Sequence, residues 1–296
     1  MKILISGRSG LVGSALASFL TSGGHEVVAL SRSPSKPGQI HWDPEHGVLD
    51  AAELEGFDAV VHLAGESVAR RWTAAQKRCI RDSRVKGTRL LSETLARLDR
   101  PPRTLVCASA IGYYGDRGSE ILTEESPPGT GFLPDVCREW EAAADAARQK
   151  GVRVVHVRIG VVLTPKGGAL AQMLTPFKLG AGGVIGSGEQ FWSWIVLDDL
   201  VGAIHHALAT ESLTGPVNAT SPNPVTNREF TKTLGRVIRR PTILPMPAFA
   251  ARLALGQMAD ELLLASARVL PQRLLATNYA FRDPELEGAL RRMLGQ

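Results

Sequence analysis

Three observations predict an α/β fold, a doubly wound parallel sheet with helices on both faces and a small C-terminal lobe. First, residues 1–32 read as strand, glycine turn, helix, strand. Second, the later apolar runs at 58–64, 104–109 and 152–158 set apolar residues side by side rather than alternately, as in strands buried on both faces. Third, beyond about residue 165 the pattern gives way to a glycine-rich connection at 180–188 and a link marked by Pro241, Pro245 and Pro247.

The opening unit carries the chemistry. Ile3, Leu4 and Ile5 form the buried strand, and Gly7, Ser9, Gly10 and Gly13 follow at once. Glycine tolerates positive φ and lets a backbone approach a pyrophosphate where a Cβ would collide. The helix opening near Leu11 and Val12 turns unpaired N–H groups and its positive dipole end toward phosphates. Gly23 and Gly24 stop that helix, and the strand Val27 to Leu30 ends at Ser31 and Arg32. An acidic residue at this strand end would bind a ribose 2′-hydroxyl, whereas an arginine pairs with a 2′-phosphate. The expected cofactor is therefore NADP(H), held by Gly7, Ser9, Gly10, Leu11, Val12, Gly13, Ser31 and Arg32.

Residues 34–47 are turn-rich, with a short edge strand at 39–43. The next strand ends in Leu63, Ala64 and Gly65 at the sheet's C-terminal edge, where ligands bind in this architecture. Glu66 follows, placed to face nicotinamide or substrate, while His62 reads as a packed core histidine. A helix is expected over 73–98, with Lys77, Arg81 and Arg84 on one side. After the strand 104–109 and a polar loop at 127–129, a helix is expected over 134–150, then the strand 152–158 continuing through Val162. Asp198 or Asp199 is expected to cap a helix through Leu208. Thr226 and Glu229 form a capping box opening a helix to about Ile238. His205 and His206 lack partner ligands, so no metal is expected.

Composition narrows the partners. Hydrophobic content of 44% with 21% charged residues is that of a globular chain. No apolar run approaches the roughly 18 residues of a membrane span, so no membrane partner is expected. No signal peptide stands before the first strand, and three scattered cysteines form no disulfide framework, pointing to a cytoplasmic location. A net charge of +5 is spread along the chain without a nucleic-acid motif, so an anionic cofactor or substrate explains it and no nucleic acid is expected. The composition is compatible with an oligomer.

The spacing Gly-x-x-Gly-x-x-Gly at the N-terminus resembles the extended short-chain dehydrogenases/reductases, a group containing nucleotide-sugar epimerases. Residues 62–66, the pair Trp140 and Glu141, and residues 188–195 and 268–286 resemble one atypical branch of it, the "epimerase family proteins" of SDR39U-like and sulA-like type. The resemblance covers essentially the whole chain. It implies a Rossmann domain over 1–165, with 190–215 returning to it, and a substrate lobe from 166–189 and 216–296. It places Leu63, Ala64, Gly65 and Val162 under the cofactor and Arg84 near its phosphate or ribose. Ser109 would touch cofactor and orient a substrate oxygen, and Tyr113 or Tyr114 would supply a proton. Relatives carry Tyr-x-x-x-Lys, the tyrosine moving the proton and the lysine lowering its pKa. Here Cys137 replaces the tyrosine and Glu141 the lysine. Glu141 would set negative charge where positive is needed. Two functions follow: an NADP(H)-dependent oxidoreductase or epimerase acting on a small molecule, such as a nucleotide sugar, or a non-catalytic NADP(H)-binding regulatory protein.

Overall fold

A computed structural model describes residues 1–33 and 38–296, and the part of the expected turn-rich segment from Pro34 to Pro37 lies outside them. Eight strands make one sheet: β1 (Lys2–Ser6), β2 (Glu26–Ser31), β3 (Gln39–Asp43), β4 (Val48–Leu49), β5 (Ala59–His62), β6 (Thr104–Ala110), β7 (Arg153–Ile159) and β8 (Gly215–Ala219). Their order is β8-β7-β6-β5-β1-β2-β3-β4. β1 pairs in parallel with β2 on one side and β5 on the other, Ile3 lying opposite Val27 and Ala59. β4 is antiparallel to its neighbour β3. The strand order therefore reverses at β1, and the crevice outside the carboxyl ends of β1 and β5 is where such sheets bind ligands.

Helix α1 (Leu11–Ser22) follows the glycine turn and buries Gly13, Leu16, Ala17 and Leu20. The long α2 (Ala74–Ala96) starts at Thr73, whose side chain accepts the Gln76 N–H. The expected helix over 134–150 is instead two, α3 (Phe132–Ala142) and α4 (Asp145–Gln149). The Ala147 N–H donates to Ser92 Oγ at 2.9 Å rather than back along the chain, so the helical ladder is interrupted there.

The chain divides into two compact units, residues 1–109, 136–158 and 201–217 in the first, and 110–135, 159–200 and 218–296 in the second. The expected boundary at 165 differs from this division. Residues 121–122 pair with 268–269, and 161–163 with 194–196, so those segments belong with the second unit. The first unit's core gathers Leu4, Leu30, Trp42, Val60, Leu91, Leu105 and Val154. The second has its own core, with Leu163, Leu170, Trp192, Trp194, Phe230 and Leu290. Thr226 caps its helix, its Oγ1 accepting the Glu229 N–H at 3.2 Å, which is the first half of the expected capping box.

Candidate functional site

The crevice of the first unit is a cleft of about 1210 Å³ lined by the glycine turn, the ends of β2 and β5, and one face of α2. The three glycines play different parts. Gly7 has φ +70, and a Cβ on it would lie 2.8–2.9 Å from the backbone of Leu63 and Ala64. A Cβ on Gly13 would fall 2.1 Å from the Gly7 carbonyl oxygen. Gly13 closes the turn on itself, and Gly7 lets it pack against the end of β5. Gly10 is different: it is exposed, its Cβ would meet only the Gly7 oxygen at 3.3 Å, and it caps α1 with no side-chain acceptor. The first-turn N–H groups of Leu11 and Val12 are thus left for a ligand.

The floor of the cleft is fixed from below. Ser6 Oγ accepts the N–H groups of Leu63 and Ala64 at 3.1 and 3.2 Å and lies 2.6 Å from His62 Nδ1. With two donors already on it, the hydroxyl gives its hydrogen to His62. Burial lowers the His62 pKa to about 4, so the imidazole is neutral, the core histidine the sequence predicts. Ser83 Oγ accepts the Glu66 N–H at 3.0 Å.

The arginines sort into two kinds. Arg84 does not line the cleft. Its guanidinium donates to the carbonyls of Glu66 and Ile80, both at 3.0 Å, and lies over the Trp140 ring. It therefore fastens the Gly65–Glu66 loop, which lines the cleft, to α2. Arg8, Arg32 and Arg78 are exposed, line the cleft, and have no hydrogen bond or ion pair to any described residue. Arg8 and Arg78 were not expected. Their signal was available only as a helical face, Ala75, Arg78, Asp82 and Lys86, that turns toward the turn carrying Arg8. Three unpaired guanidiniums and an uncapped helix start fit a phosphorylated dinucleotide.

The segment that replaces the usual tyrosine and lysine is held elsewhere in the first unit. Trp140 Nε1 donates to Thr88 Oγ1 at 2.9 Å, docking α3 on α2. Glu141 accepts two hydrogen bonds from Arg158, at 2.8 and 2.9 Å, and one from Ser109 Oγ at 2.7 Å. Burial pushes the Glu141 carboxyl up, but the Arg158 hydrogen bonds and charge, with help from His156 and Ser109, hold it below its ordinary value. The negative charge expected to be misplaced is in fact matched by Arg158. Sequence reading missed that partner, although a charged residue inside a buried strand demands one. Ser109, expected to orient a substrate oxygen, is 2% exposed and donates its hydrogen to Glu141. Cys137 and Cys107 are buried, and burial drives the Cys107 thiol to about 12.

In the second unit, Tyr114 is fully buried and its hydroxyl donates to Asn218 Oδ1 at 2.7 Å. It is thus packed in the core, where the expected role was to supply a proton. Tyr113 is half-buried, its ring edge-on to that of Tyr114. Val162 lies opposite Ile195 in a two-stranded pairing. Asp198 and Asp199 fall inside their helix, Leu197–Ala209, rather than capping it. Asp199 accepts the N–H groups of Arg282 and Asp283, tying down the C-terminal segment. Among the described residues no acidic, histidine and cysteine cluster could hold a metal.

The glycines give a test that separates fold from ligand. Gly13→Ala should cost about 3 kcal/mol in denaturant unfolding, because a Cβ cannot share the Gly7 oxygen's space. Gly10→Ser should leave stability within about 0.5 kcal/mol of wild type, since serine is a good N-cap. Its Oγ would occupy the N–H groups a phosphate needs, lowering dinucleotide affinity roughly tenfold. Equal losses of stability in both variants would refute this division of labour.

Comparison with known proteins agrees with the geometry. The NAD dependent epimerase/dehydratase family matches residues 3–219, and a domain of unknown function (DUF1731) matches residues 246–293. The chain is 44% identical to epimerase family protein Mb2239 of Mycobacterium bovis, covering 97% of this chain and 96% of the relative. It is 39% identical to human epimerase family protein SDR39U1, covering 99% and 100%. The crystal structure of that human protein (isoform2) with NADPH superposes with a TM-score of 0.90 at 36% identity, covering all of both chains. A nucleoside-diphosphate sugar epimerase from Corynebacterium glutamicum gives a TM-score of 0.83 at 39% identity, covering 100% of this chain and 58% of that one. The chain belongs to the NAD dependent epimerase/dehydratase family.

Proposed function

We propose that the chain binds NADP(H) in the cleft of its first unit and acts as an oxidoreductase or epimerase-like protein on a small molecule. The observation that carries the cofactor is Arg32, exposed at the end of β2, lining the cleft, with no partner among the described residues. A guanidinium in that place pairs with a 2′-phosphate, where a carboxylate would repel it. The human relative crystallised with NADPH supports the same reading. Arg32 would hold the 2′-phosphate. The N–H groups of Leu11 and Val12, beside Ser9 and Gly10, would take the pyrophosphate, and Arg8 and Arg78 would add positive charge at the rim. The cofactor, when bound, supplies or accepts a hydride. Nucleotide sugars are the substrate class favoured by the name of the Corynebacterium glutamicum relative.

The usual proton-transfer pair is replaced, so the chain's own contribution must come from another hydroxyl. Of the candidates, Ser109 and Tyr114 already donate to Glu141 and Asn218. Tyr113, half-buried beside the Tyr114 ring, is the third candidate. A second reading, a non-catalytic NADP(H)-binding regulatory protein, is favoured by those same two commitments.

Titration of NADPH and NADH against wild type and Arg32→Ala tests the cofactor. One charge-assisted hydrogen bond contributes roughly 1.5–3 kcal/mol, so NADPH should bind about 10- to 100-fold more tightly than NADH, and the variant should lose most of that margin. Equal affinities in the wild type would remove the NADP assignment.

A further inference from the structure

In the second unit, residues 178–186 run beside 240–248. Arg240 Nε donates to the Lys178 carbonyl, the Met246 N–H donates to the Val184 carbonyl, and the Gly186 N–H donates to the Met246 carbonyl. The pairing brings together Leu179, Ile243, Leu244, Met246, Phe249 and Leu253, each between 45% and 79% exposed. Phe249 and Leu253 stand one turn apart on the helix Ala248–Leu255, which buries Ala251 on its opposite face. An apolar group of this size is not left in water without cost.

The segments that carry it are basic. Residues 166–188 and 230–259 contain no aspartate or glutamate. Lys178, Lys232, Arg239 and Arg240 are exposed at its border, and none is paired with a carboxylate among the described residues. Arg252 is the exception, bound to Asp260 at 2.7 Å.

We propose that this face docks on an anionic lipid bilayer, with Phe249 and Leu253 entering the acyl boundary and Lys178, Lys232, Arg239 and Arg240 meeting the headgroups. The combination of large apolar side chains and flanking cations is what an interfacial contact requires. No described helix is long and apolar enough to cross a membrane, so the contact lies on the surface. A second copy fits less well. Two-fold pairing would bring both copies' sets of these four cations to one interface, and like charges gathered at an interface repel. The expectation of no membrane partner rested on the absence of a span, which such docking does not need.

Co-sedimentation of the full chain with phosphatidylcholine vesicles, with and without phosphatidylglycerol, tests the proposal. Binding should require the anionic lipid and weaken as salt is raised. Lys178→Gln with Arg239→Gln should lower the partition coefficient roughly thirtyfold, from about fivefold per basic residue. Phe249→Ser with Leu253→Ser should lower it by roughly a hundredfold or more. Circular-dichroism melting checks that both double variants stay folded, as exposed side chains allow. No partition to anionic vesicles, or partition unchanged in both folded variants, overturns the proposal. So does light scattering showing a dimer that Phe249→Ser with Leu253→Ser dissociates, since a second copy would then cover the patch.

Discussion

Replacing Arg158 by methionine is expected to destabilise the protein by about 3–5 kcal/mol, because it leaves the Glu141 carboxylate buried without its counter-ion. The side chains of Arg158 and Glu141 are 3% and 14% exposed, so water cannot stand in for the lost partner. Removing both charges, Arg158→Met with Glu141→Leu, should recover most of that loss or exceed wild type, since a well-packed apolar pair of similar volume replaces an ion pair without its desolvation cost. Denaturant unfolding of the two singles and the double gives the coupling directly. A loss below about 1 kcal/mol for Arg158→Met would mean that the pair is solvated and does not hold α3 in place.

Acid should weaken the same region, and the sign follows from both groups. Glu141 has a depressed folded pKa, so its contribution is complete above the ordinary carboxyl value and fades as pH falls through the depressed one. His62 also has a depressed pKa, about 4 against the ordinary 6.5. Its contribution is complete above 6.5 and is lost progressively as pH falls toward 4. Stability should therefore begin to decline below pH 6.5 and fall more steeply once the carboxylates protonate.

The sheet and the glycine turn were legible because their signals are local. A buried strand, glycines three apart and a second strand lie within some thirty residues, and the structure builds β1, α1 and β2 from them. The site was legible only in part. Helical spacing put Arg84 on the basic side of α2, but it cannot say that the side chain turns back to the carbonyls of Ile80 and Glu66. Arg78 and Lys86, on the same helix, line the cleft. Glu141 and Arg158 lie on different elements, so neither residue's chemistry could be judged from its own neighbours in the chain. Tyr113 and Tyr114 are adjacent in sequence, and the short 3₁₀ turn Ile111–Tyr114 decides that Tyr114 is the one turned into the core. In each case a side chain's direction, set by tertiary contacts, was the missing information.

Turnover of common nucleotide sugars is expected to be at least about 10² below ordinary enzyme rates. Loss of one positioned acid or base typically lowers a rate by about 10²–10⁴, and here both members of the usual pair are replaced. The structure offers no simple substitute in α3. Cys137 is buried, and Glu141 is tied to Arg158 and Ser109 as an ionised acceptor, with no proton to give. Cys137→Ala should accordingly change any activity found by less than roughly threefold, and mainly reduce stability through the small cavity it leaves. Tyr113→Phe should abolish that activity if Tyr113 supplies the proton. Its effect on NADPH affinity should be slight, which separates a chemical role from a binding one. Stopped-flow absorbance of bound NADPH against a panel of sugar nucleotides and carbonyl compounds measures both. Turnover near about 10 s⁻¹ that disappears in Cys137→Ala would show that the cysteine has taken over proton transfer. No turnover with any compound, together with tight NADPH binding, would instead favour the regulatory reading, in which the hydrogen bonds on Ser109 and Tyr114 serve the fold and bound cofactor is the signal.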